Sequence, residues 1–272
     1  MDLDTIREIH VARGRADLAG LGAGTAVLAG GTWLYSEPQP GLERLVDITT
    51  LGWAPITIDD AGLEIAATCT LAELAGADYP ARYTAAPLFG QACGALVASH
   101  KILRTATVGG NVCLALPAGA VLAALTALGG AALLWGPDGD QWIPLSHLVL
   151  GPGETTVAPG EVLRAVRIPE SNMRSRTAFR KVALSPLGRS GAVVMGRLDA
   201  TGVCTLTVSA ATTRPVVLEF ARLPDARELA AIFAEIHPGL WYDDPHGAPR
   251  WRRHVSTLLA VEVVAELSGG RA

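Results

Sequence analysis

The sequence predicts an α+β protein built in two parts, and three patterns carry that prediction. Two glycine-rich turns, Val27-Leu28-Ala29-Gly30-Gly31-Thr32-Trp33-Leu34 and Thr107-Val108-Gly109-Gly110-Asn111, each follow an apolar run, as turns at the ends of buried elements do. A polar, arginine-rich stretch from Glu170 to Arg176 interrupts the chain and marks the best domain boundary. Beyond it strands come first and helices last, the order of an α+β domain with one sheet face covered. At 272 residues the chain has room for two domains, each with its own core. We expect them over residues 1–172 and 173–272, with a change of texture dividing the first near residues 52 and 53.

Taken in order, the N-terminal stretch reads as a helix, a short strand over Thr25-Ala26-Val27-Leu28-Ala29, the first Gly-Gly turn, and a strand over Arg44-Leu45-Val46-Asp47-Ile48. From Ile56 to Ala67 apolar and polar residues alternate around Asp59-Asp60-Ala61-Gly62, a hairpin. Thr70 and Glu73 have capping-box spacing and open a short helix. A small, apolar helix is expected from Ala85 to Ile102, then the second Gly-Gly turn, then a buried helix from Ala118 to Leu128. A hairpin over Ala131 to Trp142 follows, and Glu161 to Pro169 reads as an edge strand closed by proline. The second part is expected as strands over 177–183, 192–198 and 203–210, a loop over 185–191, and helices over 226–236 and 250–267.

Half the residues are apolar, 18% are charged and the mean hydropathy is +0.33. That richness points to more buried or partner-covered surface than a free monomer needs. A net charge of −4 and a pI near 5.9 argue against nucleic-acid binding, which needs a basic face. Arg250, Arg252 and Arg253 read as a solvated helix face. The run from Ala118 to Trp135 is broken by Gly119, Gly129 and Gly130, so no membrane span is expected. Met1-Asp2-Leu3-Asp4 is acidic and lacks signal-peptide order, so the expected location is cytoplasmic. Cys69, Cys93, Cys113 and Cys204 form no metal-ligand spacing with one another or with the six histidines, so buried thiols are expected for most of them and a metal for none.

The two turns are the candidate site. Glycine permits positive φ and lets a ligand approach the main chain, and consecutive N–H groups in such turns form a nest for anionic oxygen. Two such turns, each beside a threonine, fit a pyrophosphate gripped from both sides. On spacing alone, two ordinary bends fit equally well. His100 and Lys101 read as cations at the end of a helix. The 185–191 loop is either a gate or a plain connection. Nothing resembles a nucleophile elbow, a Ser/His/Asp order or paired acids, so no catalytic residue is assigned.

In order, these segments resemble the FAD-binding medium subunit of the molybdenum hydroxylases, the xanthine, carbon monoxide and aldehyde dehydrogenase group. The resemblance runs over nearly the whole chain. It rests on Ala29-Gly30-Gly31-Thr32, on Leu45-Val46-Asp47-Ile48, and on Ala106-Thr107-Val108-Gly109-Gly110-Asn111. Further matches are Pro159-Gly160-Glu161-Val162-Leu163 through Ile168-Pro169, then Phe179-Arg180-Lys181, and a variant C-terminal element in Asp244, Gly247, Trp251 and Arg252. It implies a two-subdomain FAD-binding domain of the vanillyl-alcohol-oxidase (PCMH-like) type, followed by a small α+β domain like the C-terminal domain of the carbon monoxide dehydrogenase flavoprotein. It also implies that Val27 to Leu34 wraps the pyrophosphate and ribityl chain. Thr107 to Asn111 would hold the other phosphate face through backbone N–H groups and the Thr and Asn side chains. Leu163 and Val97 would give apolar contacts, and Lys181 a cation, against the alternative of a solvated strand lysine.

The same resemblance implies electron transfer as a redox subunit. Molybdopterin would sit on a large partner and [2Fe-2S] clusters on a small one, with NAD, a quinone or oxygen as final acceptor. A stand-alone FAD oxidoreductase and a non-catalytic subunit that has lost flavin are the alternatives. Two departures stand out. Pro117-Ala118-Gly119-Ala120 replaces a Pro-x-Ser-Asp, removing the aspartate that bonds the flavin side chain, and Trp33 stands where Asp is frequent. Trp33 either stacks near a flavin or plugs the gap between subdomains, and Tyr35 is equally open.

Overall fold

The computed structural model describes residues 3–269 of the 272, so Met1 and Asp2 of the acidic N-terminus and residues 270–272 lie outside it. The chain opens with β1 (Glu8–Val11), β2 (Thr25–Leu28) and β3 (Arg44–Asp47), a parallel sheet in the order β1-β3-β2. The expected N-terminal helix is absent, and only a single 3-10 turn forms at Arg15–Leu18. The reason is local. Ile9 and Val11 alternate with polar neighbours, and Asp17 folds back to accept from the Arg13 and Gly14 N–H groups at 2.7 and 3.0 Å, stopping helix growth.

The hairpin of β4 (Ile56–Asp59) and β5 (Gly62–Ala66) forms as read, and α1 (Leu71–Gly76) starts at a Thr70–Glu73 capping box. The long helix expected next is two, α2 (Pro87–Ala95) and α3 (His100–Leu103). Val97, at φ 52°, breaks the run, and the Ser99 hydroxyl caps α3 by accepting from Ile102 N–H at 3.3 Å. His100 and Lys101 therefore open a helix instead of closing one. The second glycine turn is also helical. Thr107 caps α4 (Val108–Leu114), so both glycines lie in its first turn.

All eight residues of α5 (Ala120–Ala127) are buried. Strands β6 (Ala131–Gly136) and β7 (Gly139–Pro144) form the expected hairpin. A short α6 (Leu145–Leu148) and the small hairpin of β8 (Val149–Gly151) and β9 (Glu154–Thr155) were not legible. Strand β10 (Val162–Pro169) is central, not an edge: the sheet order is β4-β5-β10-β6-β7. Pro169 misled because it is the last residue of the strand, opposite Gly62, where no further ladder N–H is needed.

The polar boundary stretch folds as α7 (Glu170–Met173). After it come β11 (Arg176–Ala183), β12 (Ser190–Leu198), β13 (Cys204–Ser209) and the unforeseen β14 (Val216–Phe220), an antiparallel sheet in chain order. Helices α8 (Ala226–Glu235) and α9 (Pro249–Leu267) close the chain. Both faces of this sheet are covered, not one. Val194, Leu206 and Val208 pack with Leu229, Phe233 and Ala260, while Val193 and Met195 join the α2–α5 core of the first part.

Polar bonds seal that second contact. Arg197 donates to Ala127 O at 3.1 Å and Asn172 Oδ1 at 2.7 Å, and Pro117 O accepts from Ala210 N–H at 2.8 Å. Arg252 is not on a solvated face. It is fully buried, paired with Asp244, and donates to Gly247 O at 2.7 Å, Gly191 O at 2.5 Å and Ala210 O. Among the described residues no helix is long and apolar enough to cross a membrane, and no cluster of metal ligands occurs.

Candidate functional site

A cavity of about 680 Å³ lies between the end of the parallel sheet and the face made by α4, the 96–106 segment and the start of β10, within the range of cofactor and small-molecule sites. One wall is the 29–34 loop. Parallel pairing of β2 ends at Leu28, whose carbonyl still accepts from Ile48 N–H at 2.9 Å. From Ala29 to Leu34, six consecutive N–H groups have no acceptor among the described residues. The loop bonds only through its carbonyls: Gly31 O accepts from Tyr35 N–H and Trp33 O from Ser36 N–H, each at 2.9 Å. Such a row of unpaired donors in a loop that lines a cavity can cradle an anion.

The opposite wall differs. Val108 N–H donates to Cys69 O and Gly109 N–H to Ala67 O, both at 2.8 Å. Gly110 N–H donates to Thr107 Oγ1 at 3.1 Å and Asn111 N–H to Thr107 O at 3.0 Å. Four of the five backbone N–H groups expected to hold phosphate from Thr107 to Asn111 thus already have acceptors in the chain: Val108 and Gly109 tie α4 to the β5–α1 connection, and Gly110 and Asn111 bond to Thr107 at the helix cap. The Thr107 hydroxyl proton and Asn111 Nδ2 have no acceptor among the described residues. Asn111 Oδ1 accepts from Leu122 N–H at 2.9 Å, capping α5, whose N-cap Gly119 has no side chain to do so. Ala120 is buried and outside the cavity wall.

The structure brings together Val27, Leu28, Ala29, Gly30, Gly31, Thr32, Trp33, Leu34, Thr107, Gly109, Gly110, Asn111 and Leu163 around this one space. It does not bring in three others. Val97 is 40% exposed with its side chain outside the wall, Val108 is fully buried beneath it, and Lys181 lies on β11 opposite Val193. Trp33 lines the cavity. Tyr35 instead packs on Gly31, where a Cβ would meet its ring at 2.4 Å.

Lining residues that the sequence did not flag include Gln39, Leu96, Ile102, Cys113, Leu114 and Glu161. Cys113 and Leu114 stand three and four residues after Gly110, so helical periodicity finds them once the segment is seen as a helix. Glu161 accepts from Gln141 Nε2 at 2.6 Å and Ala158 N–H at 2.7 Å. Burial raises the Cys69 thiol to about 12, so it stays protonated and unreactive at neutral pH, whereas Cys113 is exposed on the cavity wall.

The geometry agrees with comparisons to known proteins. Residues 8–171 match the FAD binding domain in molybdopterin dehydrogenase. Over 183 residues the chain is 31% identical to the carbon monoxide dehydrogenase medium chain of Afipia carboxidovorans, covering 66% of this chain and 62% of that one. Its fold superposes on reconstituted CO dehydrogenase from Oligotropha carboxidovorans with a TM-score of 0.84 at 23% identity, covering 97% of this chain and 98% of that one. With quinoline 2-oxidoreductase from Pseudomonas putida the TM-score is 0.77 at 17% identity, covering 99% of both chains. The α+β architecture implied by the family resemblance is therefore the observed one. The match over residues 8–171 takes in both walls of the cavity, and the chain belongs to the family of FAD-binding domains found in molybdopterin dehydrogenases.

Proposed function

We propose that this chain holds FAD in the inter-subdomain cavity and acts as the electron-transferring flavin subunit of a molybdenum hydroxylase. The observation that carries the reading is the row of six unpaired N–H groups from Ala29 to Leu34 in the loop that lines that cavity. Neutral donors suit a diphosphate, since they hold anionic oxygen without the desolvation of a buried lysine. Thr32 and Thr107 add hydroxyls, Asn111 Nδ2 adds a donor for the ribityl chain, and Leu163 with Ile48 and Leu96 supplies apolar walls. Bound there, FAD would supply the redox chemistry. The chain's residues would bind it, orient it and limit its exposure to water.

In this reading residues 1–172 form the flavin unit and 173–272 a smaller domain packed on α5. Partners would carry molybdopterin on a large subunit and [2Fe-2S] clusters on a small one, and NAD, a quinone or oxygen would take the electrons.

The test is the visible spectrum of the purified chain, with released flavin identified by chromatography. Flavin bands with FAD on release support the reading. A colourless chain that also fails to take up added FAD overturns it. Turnover of an organic substrate by the flavin-loaded chain alone would point to a stand-alone oxidoreductase.

A further inference from the structure

We propose that Arg164 supplies a positive potential behind the donor loop, acting on the cofactor diphosphate through a layer of tryptophan and not by contact. The inference rests on the flavin reading above and deepens it. Pairing between β10 and β6 shifts register between Leu163 and Ala165, so Arg164 is the extra residue of a bulge, a device that re-aims a side chain. Its guanidinium lies 4.4 Å from the ring centroid of Trp53 and 5.7 Å from that of Trp135, two rings packed edge to face at 5.4 Å.

Those tryptophans share one apolar cluster with Ala29, Ile48 and Val162, all three of which line the cavity. Ala29 is the first residue of the donor loop. Arg164 makes no ion pair among the described residues, and its Nη1 is buried without a hydrogen-bond partner. Its cationic neighbours are neutralised: Arg15, also stacked on Trp135, pairs with Asp140, and Arg167 pairs with Glu64 and Asp59.

Burial opposes the charge on Arg164 and the Glu64 carboxylate, itself paired with Arg167 at 2.8 Å, favours it; the guanidinium stays protonated, and in this partly buried layer its charge is screened less than at the open surface. Lys181, the cation expected from sequence, lies outside the cavity wall. Arg164 is the cation of this tryptophan layer that makes no ion pair among the described residues, and a diphosphate in the adjoining cavity would add a counter-charge.

The test compares FAD with riboflavin, which carries no phosphate, in fluorescence titrations of the full chain and of Arg164→Met, Arg164→Gln and Arg164→Lys. Gln keeps a planar stacking group, so a poorly folded Met variant does not decide the matter, and thermal unfolding of each variant checks folding. The neutral variants are expected to weaken FAD about tenfold and leave riboflavin unchanged, with Lys restoring most of the loss. Equal losses for both ligands, or no loss for FAD, overturn the proposal. A wild-type chain that binds riboflavin but not FAD overturns it as well. One that binds neither removes the flavin reading itself.

Discussion

Two glycines that look alike in sequence should fail in different ways. A Cβ on Gly30 would land 1.9 Å from the carbonyl oxygen of Thr105 and 2.8 Å from its carbon. Both are backbone atoms, so no side chain can rotate aside, and the 29–34 loop must part from the 105–106 segment by about 1 Å. Overpacking of this kind costs about 1–3 kcal/mol, or a fall in Tm of about 3–10 °C for a chain of this size. Gly110 differs. Its Cβ would meet only Thr107 Oγ1, at 3.2 Å, while alanine suits a helix better than glycine by about 0.5–1 kcal/mol. Gly110→Ala should therefore leave the cofactor-free Tm within about 2 °C.

The cofactor separates them again, because Gly110 is exposed to the cavity. At one hundred times its Kd, FAD should stabilise the wild-type chain by about 2.7 kcal/mol, and Gly110→Ala should lose most of that rise. Thermal unfolding with and without FAD measures all four quantities. The reasoning fails if Gly30→Ala melts with the wild type, or if Gly110→Ala keeps the full FAD-induced rise.

Three further outcomes follow from the structure. Asp244→Ala should cost about 3–5 kcal/mol in denaturant unfolding, because it leaves the fully buried Arg252 without its counter-charge; a loss under about 1 kcal/mol would mean that the neutral carbonyls suffice. Val97→Gly should stabilise by about 1 kcal/mol, since a β-branched residue at φ 52° carries about 1–3 kcal/mol of strain, offset in part by glycine's extra chain entropy; an unchanged or lower Tm would show that no strain is held there. Folded thiols at about 12 for the buried Cys69 and about 11 for the buried Cys93 and Cys204, against 9.0 unfolded, stabilise the fold fully below pH 9. That stabilisation is lost as pH rises through 9 toward the folded values, because the unfolded chain releases its protons first. Urea titrations from pH 7 to 10 should show stability falling only above about 9, and a flat profile would refute the shifts.

Much of the fold was legible because local pattern and tertiary role agreed. The hairpin at Asp59–Gly62, the Thr70–Glu73 capping box and the apolar α5 each follow from a few neighbouring residues. The failures came where long-range contacts decide. Nothing local to β10 says that β5 and β6 flank it, and nothing near Arg252 says that Gly191 and Ala210 converge on its guanidinium. At the cavity, the glycine motifs located both walls. The apolar lining from Leu96 to Ile102 stayed hidden because it depends on a helix break at Val97, a residue type that disfavours the conformation it adopts. Lys181 was drawn in by motif position alone and lies away from the wall.

The two Gly-Gly pairs do different physical work, although each reads as a phosphate turn. Gly30 and Gly109 are required by protein approaching protein: Thr105 O lies at 1.9 Å from a Cβ on the first, and Ala67 Cβ at 2.6 Å from a Cβ on the second. Gly31 is required by its φ of +66° and by the Tyr35 ring packed on it. Gly110 alone of the four has neither constraint and opens to the cavity. The free donors are unequal too, since α4 uses its N–H groups to dock on Cys69 and Ala67 while the 29–34 loop uses none. In the proposed reading, an anionic ligand would be held chiefly by the loop, with α4 setting the shape of the wall. In that reading, the aspartate that the resemblance places where Ala120 stands would bear on the ribityl and ring end of FAD and not on the diphosphate grip. This separates two consequences: the chain should retain its affinity for the adenosine-diphosphate half of FAD while differing from its relatives at the ribityl and ring end.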